Sequence, residues 1–274
     1  MVKFHVPGDD PKHPDLRNHF ELAIRVAEEV SKTLKAPHDL EMENMYWPML
    51  MYSKKRYAAV KYESPSRPGT MTVKGIALVR REFAPLTKRV LRECLETVLF
   101  ERDAPKALAL ARGHVLRVLD DTNPMDEYVM SKQLRTGYKV SALPHVTVAK
   151  KTLERTGTPI PSGTRVRFVY VEDPTNPDGK SSDRAEDPEY AVEHRMTIDR
   201  LYYIDHQLRK PLTGILEPVC ADPDSAIFGH PDVEPKLSSL KSAFKADVHV
   251  AKRVRKNEKN NQREITCFFT RPAK

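Results

Sequence analysis

The sequence predicts an α+β protein: a small strand-bearing portion to about Val79, a mostly helical region to about Phe228, and a flexible basic tail. Three observations carry that prediction. Apolar residues recur at helical spacing over Leu16–Leu34 and Phe83–Glu101. Short apolar and aromatic runs bounded by turn residues crowd between Met45 and Val79, and one alternating run, Thr164–Val171, stands among the helices. From about Pro231 the chain turns polar and basic, a composition that does not build a core.

The elements follow in order. Residues 1–14 read as extended and then broken by Pro7, Gly8, Pro11 and Pro14. Leu16, Phe20, Ala23, Ala27, Val30 and Leu34 line one helix face, and Pro37 ends the helix. Met45–Tyr52 is a dense apolar and aromatic run of strand length, and Ala58–Tyr62 predicts its partner in a hairpin-like pair. A Pro/Ser/Gly turn at Ser64–Gly69 leads to a third segment, Met71–Val79. Phe83–Glu101 predicts a long helix, with Leu86, Val90, Leu91, Leu95, Val98 and Leu99 on one side. Ala104–Leu119 predicts a second, stopped at Asp120–Pro124, and residues 144–155 a short third. In Thr164–Val171, Val166, Phe168 and Tyr170 alternate with Arg165, Arg167 and Val169, the pattern of a strand. Residues 172–187 are rich in Asp, Pro, Ser and Gly and read as a surface loop. Asp199 is an N-cap for a helix to about Glu217, since a carboxylate there can accept the otherwise unpaired N–H groups of the first turn.

Composition narrows the function classes. A chain of 274 residues can bury a core without a disulfide or metal staple. Cys94, Cys220 and Cys267 lie far apart with no C-x-x-C, which argues against a zinc knuckle and for a reducing compartment. No apolar run approaches the ~20 residues of a membrane span, and the opening residues MVKFHVPGDDPKHPD lack the apolar centre of a secretory signal. The formal net charge of +8 suggests a polyanionic partner.

No P-loop or dinucleotide-binding glycine pattern is present. The acidic pairs Asp120-Asp121 and Asp222/Asp224 sit beside prolines and read as loop or helix-end residues. His145 and His194 read as packed or surface residues, and nothing composes a catalytic site. The basic residues are more telling. Lys54, Lys55, Arg56 and Tyr57 follow a strand directly, so a rigid strand end can aim three cations and an aromatic ring at a polyanion. Lys61, Arg67, Lys74 and the pair Arg80-Arg81 follow closely and suggest a strand-based basic surface.

The run YWPMLMYSKKRYAAVKYE, followed by KGIALVRREFAPL, resembles the family B DNA polymerases, closest in flavour to polymerase delta and its viral relatives. The resemblance continues through SKQLRTGYK (Ser131–Lys139), PHVTVAKK (Pro144–Lys151), SGTRVRFVYV (Ser162–Val171), the block Glu186–Leu212 and ILEP (Ile215–Pro218), all in family order. Ala77, Glu82 and Thr164 depart from the Glu, Asp and Asp usual at their places, and the paired-cysteine metal modules of the cellular delta enzymes have no counterpart.

This resemblance implies a fold: the end of a polymerase palm over residues 1–80, a mostly helical thumb over 81–230, and a tail over 231–274. It implies a start just downstream of the metal-binding Y-G-D-T-D-S turn, so the aspartates that hold two Mg²⁺ ions would lie outside the chain, which carries no catalytic residue. It implies that Lys54, Lys55, Arg56 and Tyr57 meet the minor groove near the primer end. Lys74 with Gly75, Arg80 and Arg81 would meet phosphates near the palm–thumb junction. Lys132, Lys139, His145 and Lys150 are thumb candidates for backbone contact, whereas Tyr202, Tyr203 and Leu208 pack the thumb core.

In the tail, Gln262, Ile265, Phe268 and Phe269 read Q-x-x-I-x-x-F-F and resemble the peptide by which replication proteins bind a sliding clamp. A 3₁₀ turn sets residues three apart above one another, which would present Ile265 and Phe268 on one face. The expected function is therefore the palm–thumb piece of a replicative polymerase. It would bind primer–template duplex, tether to a sliding clamp, avoid membranes, work inside the cell at a nuclear or viral replication site, and need the N-terminal remainder of the polymerase for activity. Two alternatives stay open: a natural subunit of a split polymerase, and a non-enzymatic DNA- and clamp-binding accessory protein.

Overall fold

The computed structural model describes residues 2–3, 10, 14–138, 142–173, 176 and 179–269, with side chains to Arg255. The chain packs as two compact units. One comprises Met1–Gly75 with Leu99–Arg102, and the other comprises Ile76–Val98 with Asp103–Lys274.

The first unit opens with helix α1 (Leu16–Ser31). The Asp15 carboxylate accepts the N–H groups of Arg17 and Asn18 at 3.0 and 3.3 Å, and Phe20, Ala23 and Ala27 form the buried stripe. The helix stops at Ser31, short of the expected Leu34, where the Ser31 hydroxyl accepts the Leu40 N–H at 2.8 Å and turns the chain. An antiparallel sheet follows: β1 (Met45–Ser53), β2 (Arg56–Tyr62) and β3 (Thr70–Lys74), with β2 central. Ala58, Ala59 and Val60 at the middle of β2 are at most 1% exposed, so the central strand is covered on both faces. The β1–β2 register slips between Tyr46 and Met49, around Pro48, which has no N–H to give the ladder. The Arg102 guanidinium lies 4.1 Å above the Trp47 ring and closes this unit. β3 ends at Lys74 rather than Val79, because Gly75 (φ +67°) leaves the extended region.

The second unit begins with a 3₁₀ turn, Ala77–Val79, and then α2 (Pro85–Glu96); a π-helical turn, Thr97–Glu101, whose last residues belong to the first unit, leads on to α3 (Ala104–Leu119) in the second. Leu86, Val90, Leu91 and Leu95 of α2 and Ala107, Ala111, Val115 and Val118 of α3 are wholly buried, and the two helices pack together. The alanines allow close approach. The second sheet is antiparallel, in the order β4 (Met130–Gln133), β5 (Arg165–Tyr170), β6 (Ala185–Glu186). Two of its three strands lie outside the segments that the sequence pattern marks. Helix α4 (Pro144–Thr156) packs on this sheet and ends at Gly157 in the left-handed conformation, φ +69°. After α5 (Pro188–Glu193), α6 (Arg200–Tyr202) runs through a π-helical stretch, Tyr203–Arg209, into α7 (Lys210–Leu216). Asp199 accepts the Tyr202 N–H at 3.0 Å, the expected cap. The buried Tyr203 hydroxyl accepts from Tyr170 N–H at 3.1 Å and donates to the Tyr128 carbonyl at 2.8 Å, tying three segments together.

Helix α8 (Pro223–Ile227) leads to α9 (Glu234–Phe269). Side chains of α9 are described as far as Arg255. Its start is held by buried Val233 and Leu237 and by Lys236, 2.7 Å from an Asp120 oxygen.

Candidate nucleic-acid interface

In the first unit the β1–β2 hairpin turns on Lys54-Lys55, with Ser53 paired to Arg56. Lys55 takes the left-handed conformation, φ +63°. Across β2 and β3, Tyr57 is registered with Lys74, which brings Lys74 and Gly75 to the same sheet end as the turn. Gly75 is required there twice over. Its φ of +67° suits glycine, and a Cβ would run into the Lys55 carbonyl oxygen while reaching to 3.1 Å from Arg56 Cγ. The strand end and the turn therefore touch backbone to backbone.

The charge at this end is uncompensated. Lys54, Lys55, Arg56 and Lys74 are all exposed, and among the described residues none has a carboxylate within 4.0 Å. Tyr57 beside them is half-buried, its ring edge-on to Tyr46 with centroids 6.1 Å apart. The neighbouring Tyr52 hydroxyl is pushed up from its ordinary value by burial, with Arg56 opposing the shift. Lys61 and Arg67, grouped with this surface in the sequence, behave differently. Glu63 takes both, at 2.6 and 3.7 Å. Four cations held close together repel one another, and a polyanion relieves that repulsion.

In the second unit Arg80 and Arg81 are exposed, and Arg80 lies 3.6 Å from Glu82. Lys132 is exposed on β4, opposite Val166 of β5. His145, expected to contact the DNA backbone, is wholly buried at the start of α4 and offers no surface to a phosphate. Its Nε2 lies 2.9 Å from the Tyr138 hydroxyl, which accepts the Arg135 N–H and donates to the Gln133 carbonyl. Burial, then Lys132, lowers its pKa, which favours the neutral ring.

The Lys150-Lys151 pair splits. Lys150 is exposed. Lys151 instead donates to the carbonyls of Asp183 and Ala185 at 3.0 and 2.8 Å and lies 3.3 Å from Glu186. Arg155, one turn later, grips Glu186 with two bonds of 2.7 and 2.9 Å and lies 3.4 Å above the Tyr190 ring. Burial alone would raise the Glu186 carboxyl, but the Arg155 bonds, the Asp187 N–H and the nearby Lys151 charge hold it below the usual carboxylate range. Nothing in the sequence marks Lys151 and Arg155 as structural, since their acidic partner is 35 and 31 residues away.

Lys139 lies outside the described residues, and Gln262, Ile265, Phe268 and Phe269 lie beyond the described side chains. Among the described residues no three His, Cys, Asp or Glu side chains converge to hold a metal ion. The carboxylates of Asp15, Asp103, Asp187, Asp199 and Asp222 cap helices, so the described residues do not fit a two-metal centre. No described helix is long and apolar enough to cross a membrane.

The model of DNA polymerase family B matches residues 11–219. The chain is 50% identical over 269 residues to a DNA polymerase of Paramecium bursaria Chlorella virus NY2A, covering 98% of this chain and 29% of that protein. It is 36% identical over 225 residues to the DNA polymerase delta catalytic subunit of Caenorhabditis elegans, covering 81% and 20%. The fold is similar to that of a family B DNA polymerase from the archaeon Pyrobaculum calidifontis, with a TM-score of 0.55 and 24% identity over 72% of this chain and 24% of that one. The chain thus spans less than a third of the length of these relatives.

Proposed function

Because this chain belongs to DNA polymerase family B, we propose that it supplies the part of such a polymerase that grips primer–template duplex. One observation carries the reading: four exposed, uncompensated cations gathered at one rigid sheet end by the Lys54-Lys55 turn and Gly75. Lys54, Lys55, Arg56 and Tyr57 lie in the minor groove near the primer terminus. The N3 and O2 acceptors there are shared by A·T and T·A and retained in G·C, so the contact ignores sequence but responds to mispair shape. Lys74 takes a neighbouring phosphate. Arg80, Arg81, Lys132 and Lys150 add phosphate contacts in the second unit, and the two regions serve as the end of the palm and the thumb.

Nucleotide addition is the activity of the whole polymerase, in replication. The divalent ions it needs would be held in the part of such a polymerase that lies outside this stretch. The Q-x-x-I-x-x-F-F peptide tethers the enzyme to a sliding clamp.

Photo-crosslinking tests the grip. A photoreactive residue at position 54 is expected to label the primer strand within a few nucleotides of its 3′ end. Labelling only of distant template positions would overturn the reading. For the tether, Phe268→Ala with Phe269→Ala is expected to abolish clamp capture while leaving duplex affinity unchanged. Clamp capture that survives removes the tether from the proposal.

A further inference from the structure

Three planar groups are stacked on the second unit, apart from the cations assigned to the duplex. The Arg155 guanidinium lies 3.4 Å over the Tyr190 ring, and the His194 ring lies 3.7 Å from the same ring at an interplanar angle of 20°. Two groups cannot share one face of a ring at those distances, so Tyr190 is sandwiched between them. The inner end of the stack is anchored, because Glu186, 2% exposed, takes both Arg155 bonds. The outer end is oriented as well. The Tyr190 carbonyl can only accept, so His194 Nδ1 donates to it at 3.0 Å. Stack and bond together hold the His194 ring in place, yet the residue is exposed.

Arg195 follows directly. It takes the left-handed conformation, φ +51°, at the end of α5. Its N–H reaches the Val192 carbonyl at 3.1 Å, and the Met196 N–H reaches the Ala191 carbonyl at 2.9 Å. In this helix-ending turn the left-handed position usually belongs to glycine. An arginine there carries backbone strain that glycine would avoid. Arg195 is exposed, and among the described residues no carboxylate lies within 4.0 Å of it. Of the acidic residues of α5, Glu189 lies 3.4 Å from Arg167, and Glu193 precedes His194 by about 100° of helix rotation. Stability alone would favour glycine at this turn. A held, exposed ring followed by a cation instead matches a nucleotide, which offers a π-face and an anion side by side.

We propose that His194 and Arg195 form a binding site for single-stranded DNA, with an unpaired base stacked on the His194 ring and its phosphate on Arg195. The base extends the Arg155–Tyr190–His194 stack by a fourth layer, at the ~3.4 Å spacing of stacked nucleotides. Every base has a π-face, so the site tolerates any sequence. A base inside a duplex is already stacked on both faces, so the site takes unpaired ones. The inference goes beyond the duplex grip and rests on the reading of the chain as a part of a polymerase that holds DNA.

The test uses the full chain and follows fluorescence anisotropy across a salt series, with a mixed-sequence single strand and with a blunt duplex of about three helical turns. His194→Ala is expected to lose single-strand affinity by at least about fivefold, the low end for one stacked base, and His194→Phe to keep it within about twofold. Blunt-duplex affinity is expected to stay unchanged in both. Arg195→Gly is expected to raise the thermal unfolding midpoint, because glycine suits the turn. The same variant is expected to bind the single strand more weakly, with a slope of log K on log salt smaller by roughly 0.7. A merely structural Arg195 would show the first change without the second. If His194→Ala or Arg195→Gly keeps the original single-strand affinity while Lys54→Ala with Lys55→Ala loses duplex affinity, the site is wrong and the duplex-gripping reading stands. If the unaltered chain has no salt-dependent affinity for either DNA, both fail. An equal loss on single strand and blunt duplex in His194→Ala also overturns the proposal, since the site would then not select unpaired bases.

Discussion

Two lysine pairs in this chain read alike and do opposite things. Lys54-Lys55 makes an exposed hairpin turn, with Arg56 and Lys74 close by and no acidic partner among the described residues. Lys150-Lys151 lies on α4, and its second member is drawn into the fold by two carbonyls and by Glu186, a carboxylate only 2% exposed. The turn holds like charges together that would rather separate; the helix pairs its charge with one that burial would otherwise punish. A lysine that is already paired has little left to offer a phosphate. The available charge of a region is thus set by long-range partners and not by its count of basic residues.

Breaking the paired side is expected to have the largest effect. Glu186→Ala strands Arg155 and Lys151 against a mostly buried site. It is expected to lower unfolding free energy in urea by about 3 kcal/mol, the low end for a broken buried ion pair, because both cations remain partly in water. Duplex affinity is expected to be unchanged. Gly75→Ala comes next. It places a Cβ against the Lys55 carbonyl and forces a left-handed backbone on alanine, at a cost of about 1–3 kcal/mol. Unlike Glu186→Ala, it is expected to weaken duplex binding as well, because the turn must move. Stability loss with unaltered DNA binding would show that Gly75 serves the sheet alone.

The pH dependence separates the two regions further. The Glu186 carboxyl is held below its ordinary, unfolded value. Its contribution is therefore complete above the usual carboxylate range and is lost as pH falls through the lower, folded value. Glu186→Gln is expected to flatten the acid limb of a stability–pH curve below about pH 4.5, whereas Lys54→Ala with Lys55→Ala is expected to leave that limb as it is. The smallest effect belongs to Lys61→Ala. Its partner Glu63 is exposed, so neither thermal stability nor duplex affinity is expected to change measurably. A clear loss of affinity would show that an ion-paired lysine on this sheet also serves DNA.

Much of the architecture is legible in the residues. The α3 helix keeps the expected bounds, Ala104–Leu119, because Asp103 caps it and Asp120–Pro124 stops it. Asp199 caps as expected, and α4 and β5 fall within a residue or so of their patterns. What escaped is short and depends on distant partners. Strand β4 has four residues with one, Met130, buried, and β6 has two, so neither is long enough to show an alternation. Both exist because β5 offers each an edge. The candidate site divides the same way. Lysine and arginine types were legible, and so was the meeting of Lys74 with the turn once the strands were placed. For His145 the residues left packed and surface both open, and the capture of Lys151 was not legible, because each is decided by a contact that local sequence does not announce: the Tyr138 hydroxyl and the return of Glu186 on β6.

The central claim, that the turn cations are held unpaired for DNA, is tested most directly by the salt dependence of duplex binding for the full chain and for Lys54→Ala with Lys55→Ala. The account predicts weaker binding and a slope of log K on log salt smaller by about 2, since two phosphate-neutralising contacts are removed at roughly 0.9 each. An unchanged slope with unchanged affinity would contradict it and return the turn to an ordinary solvated hairpin.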